Sequence, residues 1–331
     1  MVKIQHTIDE SAYNTRSQST EYHRQNIEHI QVNTSIIAIY FISNNLTYYL
    51  DVLAPGDNTR KLIAVLLVSL MLGTIATSLA ATEVVVSGST TVGPLGVLCA
   101  DAFNANQTQY HVSVAQTGTG AGITALAQGQ ADVAMASREV TADEKSKYGE
   151  KFVENLIGYD GIAIIVSKPI YDAGVTALTK DQVKKIYAGN TTNWKDLGGP
   201  DAQIYAVSRE QGSGTLANFL TDIMGSDKAK TPGVKTYANG NSEVKTAVTG
   251  SNKAIGYVGY SYSQGGDLGV VTLEGIKLTE ATVKDKTYPL ARKLYLDTFG
   301  GLPTKGAKAF IDFVTGPEGQ KIAKENGYIA L

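Results

Sequence analysis

Apolar and polar positions are patterned in two ways along this chain. From Glu83 onward, short apolar runs alternate with segments whose apolar residues recur every three or four positions, as in an α/β fold with mainly parallel sheets. Strands are expected at residues 84–86, 111–115, 132–136, 159–166, 204–207, 254–258 and 291–297. Helical faces follow several of them: Leu95, Leu98, Ala102 and Phe103 behind Pro94; a helix around Leu126; and Leu216, Phe219, Leu220 and Ile223. Thr179 caps a helix over 180–187, with Trp194 in the next turn expected to pack against it, and helices over 242–248, 307–314 and 317–325 complete the chain.

Residues 1–59 lack this alternation and are expected to be a poorly structured extension or a start-site artefact. Arg60 and Lys61, an apolar run over 62–72 and small residues over 74–81 have the order of a secretory signal, with cleavage expected after Ala80. The run is short for a membrane span, and an uncleaved anchor is the alternative. A signal belongs near a chain start, so translation is expected to begin close to Arg60.

Four strand-to-helix turns carry the candidate chemistry. Ser87 Gly88 Ser89 Thr90 Thr91 ends the first strand; Thr117 Gly118 Thr119 Gly120 Ala121 Gly122 ends the second; Ser137 Arg138 Glu139 ends the third; and Arg209 Glu210 Gln211 Gly212 Ser213 Gly214 Thr215 follows the strand at 204–207. Free backbone N–H groups and the helix dipole favour an anion at such turns. Glycine allows close approach, hydroxyls donate, and a guanidinium fork suits a tetrahedral oxyanion. One Gly/Ser turn is an ordinary connection, but four at strand ends suggest an anion clamp. The second turn lacks the Gly-Lys-Ser/Thr of a P-loop and the spacing of a dinucleotide fingerprint, so neither nucleotide site is supported.

Composition narrows the picture. The 331 residues are 43% hydrophobic and 18% charged, enough for a sizeable core and two lobes. A net charge of -2 without a basic cluster argues against a nucleic-acid partner. One cysteine, Cys99, precludes an intrachain disulfide and has the setting of a packing residue. No metal or cofactor site is expected.

In order and spacing, these four turns resemble the binding motifs of the PstS-type phosphate-binding proteins of ABC importers. So do Asp160 Gly161 Ile162 Ala163, Ala254 Ile255 Gly256 Tyr257 Val258, and the closing Phe310 Ile311 Asp312 Phe313 Val314 and Pro317 Glu318 Gly319 Gln320. The likeness spans 83–331. It implies a type II periplasmic binding protein fold, two α/β lobes joined by two crossover strands with the ligand in the inter-lobe cleft. One lobe would hold residues 82–162 completed by 289–331, the other 163–288. By similarity, Ser89, Thr90, Thr91, Thr119, Ser137 and Arg138 would face phosphate from one lobe, and Arg209, Ser213, Gly214 and Thr215 from the other. Well-known members carry an aspartate, an acceptor for the proton of hydrogen phosphate, where Arg138 stands. A branch with a Ser-Arg-Glu pattern keeps phosphate the first choice; Asp160, Glu139 or Glu210 would have to supply an acceptor.

The implied function is a monomeric, non-catalytic receptor, exported to the periplasm or cell surface, that closes on inorganic phosphate and docks on a membrane permease. Other readings are a receptor for sulfate or another oxyanion, a phosphatase or hydrolase using Ser213 or Ser89, and a sensor or scaffold with a vestigial pocket. The only histidine beyond the signal is His111, far in sequence from those serines.

Overall fold

The computed structural model describes residues 81–331 except 302, so the expectations for the extension, signal and cleavage site lie outside the described residues. β1 (Thr82–Gly88) buries Val84 and Val86 and leads into α1 (Gly93–Asn106). Gly88 is needed between them: its φ is +140°, and a Cβ there would lie 2.3 Å from the Met135 carbonyl oxygen. β2 (Tyr110–Ala115), α2 (Thr119–Ala127), β3 (Val133–Ala136) and α3 (Ala142–Tyr148) repeat the unit.

β4 (Phe152–Ser167) is the long strand expected at 159–166, extended toward its start. Beyond it come α4 (Lys168–Asp172), β5 (Ala177–Leu178), α5 (Lys180–Tyr187), β6 (Tyr205–Arg209), α6 (Gly214–Phe219), β7 (Val234–Ala238), α7 (Asn241–Thr249) and β8 (Ala254–Gly259). The chain ends with β9 (Leu268–Val270), β10 (Thr272–Leu273), α8 (Glu280–Lys284), β11 (Ala291–Phe299), α9 (Lys305–Thr315) and α10 (Pro317–Glu325). Thr179 caps α5 through a capping box with Gln182, as its sequence suggests.

The main sheet runs β2-β1-β3-β11-β4-β8-β6-β7, with β9 also beside β4. The outer pairs are parallel, as expected for strand-helix alternation. The central ones are not: β11 is antiparallel to β3 and β4, and β4 to β8 and β9. The chain goes out along β4 and returns along β11, and that reversal makes the sheet mixed rather than mainly parallel. β4 pairs with β11 from Phe152 to Gly161, then with β8 from Ile162 to Val166.

Two main apolar cores flank that change of partner. One packs Val84, Val86, Leu95, Cys99 and Phe103 against Leu294, Leu296 and Phe310. Burial, with a smaller contribution from Glu318, pushes the Cys99 thiol up to about 12, consistent with a packing role. The other core joins residues 162–166 of β4 to Val183, Ile186, Trp194, Phe219 and Tyr257. Trp194 is buried in the same core as Val183 and Ile186 of α5, and its indole N–H donates to the Lys253 carbonyl at 2.8 Å. The Phe219 and Tyr257 rings stack with centroids 4.1 Å apart beneath the turn that opens α6.

Candidate functional site

The strand ends bring most of the singled-out residues together. Ser89 Oγ accepts the N–H groups of Thr91 at 3.1 Å and Val92 at 3.4 Å, fixing the turn that presents Thr90 and Thr91 ahead of α1. Thr119 opens α2, and its Oγ1 lies 3.3 Å from Ser137 Oγ at the end of β3. From the β6 side, Arg209 ends its strand, Ser213 caps α6 by accepting the Leu216 N–H at 3.2 Å, and Gly214 and Thr215 form the first turn.

These two sets touch. Arg209 Nη2 donates to Thr90 Oγ1 at 3.0 Å, Thr91 and Thr215 hydroxyls lie 3.1 Å apart, and the Gly120 N–H donates to the Gly212 carbonyl at 2.9 Å. A Cβ on Gly214 would sit 2.5 Å from Ser137 Oγ and 2.7 Å from Thr119 Oγ1, so only glycine leaves those hydroxyls undisturbed. Gly212 has φ +86°, the left-handed conformation that glycine tolerates best.

Arg138 is the exception. Its guanidinium grips Glu144 with Nη1 at 2.8 Å and Nη2 at 2.7 Å, and Nη1 also donates to the Glu139 carbonyl at 2.9 Å. Glu144 forms the capping box of α3 with Thr141, which puts a carboxylate within reach of the fork. Burial works against its charge, but hydrogen bonds from Arg138 and Thr141 hold the carboxyl below its ordinary range. No hydrogen bond joins the Arg138 fork to the hydroxyl cluster, although Arg138 lines a cleft with Gly212 and Ser213.

Arg292 of β11 enters the cluster instead. Its Nη1 donates to Thr215 Oγ1 at 3.0 Å and to the Ser137 carbonyl at 3.3 Å, and its Nη2 to Thr91 Oγ1 at 3.3 Å. Asp160, its direct partner in the β4–β11 register, accepts from Nε at 2.8 Å and Nη2 at 2.6 Å. Asp160 also accepts the Tyr260 N–H at 2.8 Å, and both members of the pair are buried. Asn241, the first residue of α7, adds an amide that donates to Thr90 and Thr91. Sequence reasoning missed Arg292 and Asn241; the signal for Arg292 was a guanidinium set between the apolar residues Leu290, Ala291 and Leu294 near the start of a strand.

Arg209 carries the electrostatic demand. It is 1% exposed, and it donates from Nε to the Ala238 carbonyl at 3.2 Å and from Nη2 to the Asn239 carbonyl at 2.8 Å, while Nη1 has no partner. Burial pulls the guanidinium down to about 10; Tyr257 opposes this and the nearby Arg292 adds to it. Of the two buried guanidinium groups only Arg292 has a carboxylate partner, Asp160, while Arg209 has carbonyls and a hydroxyl, so an anion would complete its surroundings. A cleft of about 330 Å³ leads to Arg209 past Thr90, Gly118, Ser213, Asn241 and Tyr262. A larger crevice of about 930 Å³ touches Arg138 and Arg292 but none of the other cluster side chains. Among the described residues there is no group of three or more His, Cys, Asp or Glu side chains placed to hold a metal.

Comparison with known proteins gives a consistent set. Residues 74–318 match the model of a PBP superfamily domain. The phosphate-binding protein PstS of Bacillus subtilis is 31% identical over 248 residues, covering 74% of this chain and 80% of that protein. PstS of Staphylococcus saprophyticus is 33% identical over 268 residues, covering 75% and 80%. Among solved structures, an ABC transporter substrate-binding chain from Clostridium perfringens, crystallised with phosphate, is similar with TM-score 0.69 and 36% identity over 76% of this chain and all of that one. An ABC-type phosphate transport receptor from Vibrio cholerae has TM-score 0.63 and 31% identity, covering 75% of this chain and 100% of the receptor.

Proposed function

This chain belongs to the family of PstS-type phosphate-binding proteins, and from that membership we propose that it captures inorganic phosphate at the hydroxyl cluster and hands it to an ABC permease. Its fold is that of the type II periplasmic binding proteins. The observation that carries the proposal is Arg209 Nη1, a buried cationic donor without a partner among hydroxyl donors. A buried polar group is ordinarily satisfied, and a charge-assisted bond to a phosphate oxygen contributes about 1.5–3 kcal/mol net.

In this reading Thr90, Thr91, Thr119 and Ser137 face the anion from one lobe, and Arg209, Ser213, Gly214 and Thr215 from the other. Arg292 and Asn241 join them, Ser89 holds the first turn, and Arg138 flanks the pocket. Residues 82–162 with 289–331 form one lobe and 163–288 the other. Because the donors come from both lobes, the anion contacts the closed form more fully than the open one, and that difference drives closure. The protein acts outside the cytoplasm as a monomer, without catalysis.

Two observations favour binding over hydrolysis. The Ser213 hydroxyl is engaged as the cap of α6, and His111 is exposed at the start of β2, an edge strand. Calorimetric titration of the purified protein with inorganic phosphate should give one site per chain. The absence of both heat and a thermal shift at millimolar phosphate would overturn the proposal. Turnover of a chromogenic phosphate ester that is lost in Ser213→Ala would favour the hydrolase.

A further inference from the structure

A Ser or Thr hydroxyl donates one proton and accepts two, so the partners already in place decide what it can offer a guest. Thr90 Oγ1 accepts from Arg209 Nη2 at 3.0 Å and from Asn241 Nδ2 at 3.3 Å. Thr91 Oγ1 accepts from Asn241 Nδ2 at 3.0 Å and Arg292 Nη2 at 3.3 Å, so it must be the donor in its contact with Thr215. Thr215 Oγ1 then holds that bond and one from Arg292 Nη1. The Gly259 N–H donates to Asn241 Oδ1 at 3.1 Å, which fixes the amide with its nitrogen toward the threonines.

Thr90 and Thr215 are thereby left as donors alone, beside the free Arg209 Nη1. Asp160 is the only carboxylate hydrogen-bonded to a cluster residue among the described residues, and it already accepts from Arg292 and the Tyr260 N–H. Free lone pairs remain on Ser213 and on the Thr119–Ser137 pair, enough for one ligand O–H at the strength of a neutral hydroxyl acceptor.

We propose that this pocket selects its guest by charge rather than by a proton: it takes tetrahedral dianions, sulfate alongside hydrogen phosphate, and disfavours dihydrogen phosphate. Asn241 and Arg292 set that preference by occupying the hydroxyl lone pairs. The inference rests on the oxyanion site proposed above. A carboxylate accepting a ligand O–H would favour phosphate over sulfate by about ten- to a hundredfold, and the one carboxylate of the cluster, Asp160, is committed to the Arg292 fork and the Tyr260 N–H. The charged and titratable groups around the pocket are Arg209, Arg292 and Asp160, with Arg138 flanking it, Tyr257 and Tyr328 behind Arg209 and Thr91, and Glu210, Glu243 and Tyr262 at the cleft mouth. None is a histidine, the side chain whose charge ordinarily changes near neutrality, so the expected pH effect belongs to the ligand.

The test is calorimetry on the full chain with sodium phosphate and sodium sulfate at about pH 8 and pH 6 and constant ionic strength. Sulfate should bind within about thirtyfold of phosphate at the higher pH, and phosphate affinity should fall toward the lower pH by up to about tenfold per unit while sulfate affinity holds. Phosphate binding with sulfate weaker than that, or phosphate affinity independent of pH, overturns the inference and leaves the phosphate site standing. If neither anion binds, both fall. Asn241→Asp, with unchanged far-UV circular dichroism, should raise the phosphate-to-sulfate ratio at least about tenfold by supplying an acceptor; an unchanged ratio removes Asn241 from the assignment.

Discussion

Gly214 stands where an added methyl group has a calculable effect. Its backbone is not in the left-handed region, so alanine fits the local conformation, and alanine favours the helix over glycine by roughly 0.5–1 kcal/mol. The new Cβ would lie 2.5 Å from Ser137 Oγ and 2.7 Å from Thr119 Oγ1, so both hydroxyls must turn away or the opposing turns must separate. One proton of the pair is spent between the two oxygens, so one neutral donor is then lost to the anion, worth about 0.5–1.5 kcal/mol net. Gly214→Ala should weaken phosphate binding by roughly 2- to 12-fold on that arithmetic. The phosphate-induced rise in Tm should shrink accordingly, with the Tm of the free protein nearly unchanged. Gly266→Ala, where a Cβ meets nothing within 4 Å and the backbone is unstrained, is the control. Calorimetric affinity for Gly214→Ala within twofold of the parent would refute the reasoning, because the two hydroxyls would then contribute nothing to the guest.

Three other perturbations have definite signs. Arg209→Ala should cost roughly 2–5 kcal/mol of phosphate binding, as for truncating one partner of a buried charge pair; calorimetry showing less than a threefold loss contradicts it. Asp160→Asn leaves the buried Arg292 guanidinium without its carboxylate and should lower unfolding free energy by about 3–5 kcal/mol in urea titrations; a loss below about 1 kcal/mol counts against the pair. Asp297 is buried with both carboxylate oxygens unpartnered, and burial followed by the nearby Glu154 raises its pKa well above the usual carboxylate range. The native state then holds a proton that the unfolded chain releases above about pH 4, so stability falls as pH rises toward the native pKa. Asp297→Asn should remove that slope and be the more stable form at pH 8; parallel stability curves from pH 5 to pH 8 would disprove it.

The four turns were legible because each is local: an apolar run, a glycine where the backbone must fold sharply, hydroxyls, then helical spacing. Ser89, Thr119, Ser213 and Thr215 lie at helix starts for reasons contained within a few residues. Arg292 was not legible, because its partners Asp160, Thr215 and Thr91 come from distant parts of the chain and meet only through strand pairing. Asn241 has the same difficulty, since an amide at a helix start looks like a cap until the opposing threonines are in place. Arg138 shows the opposite limit, a local partner that the sequence did not bring to notice. Its position at a strand end beside the other turns was sound, but Thr141 and Glu144 form a local capping box whose carboxylate captures the guanidinium first. The mixed sheet likewise required knowing that β11 returns between β3 and β4.

The change of neighbours along β4 has a mechanical consequence. One strand serves both halves, so in the proposed closure any swing takes place about a bar that they own jointly. Asp160 and Arg292 sit beside the point where β4 exchanges β11 for β8, and a point close to an axle moves least. The buried Asp160–Arg292 pair is thereby placed where such a swing would disturb it little, and the Thr91 and Thr215 hydroxyls bonded to Arg292 share that position.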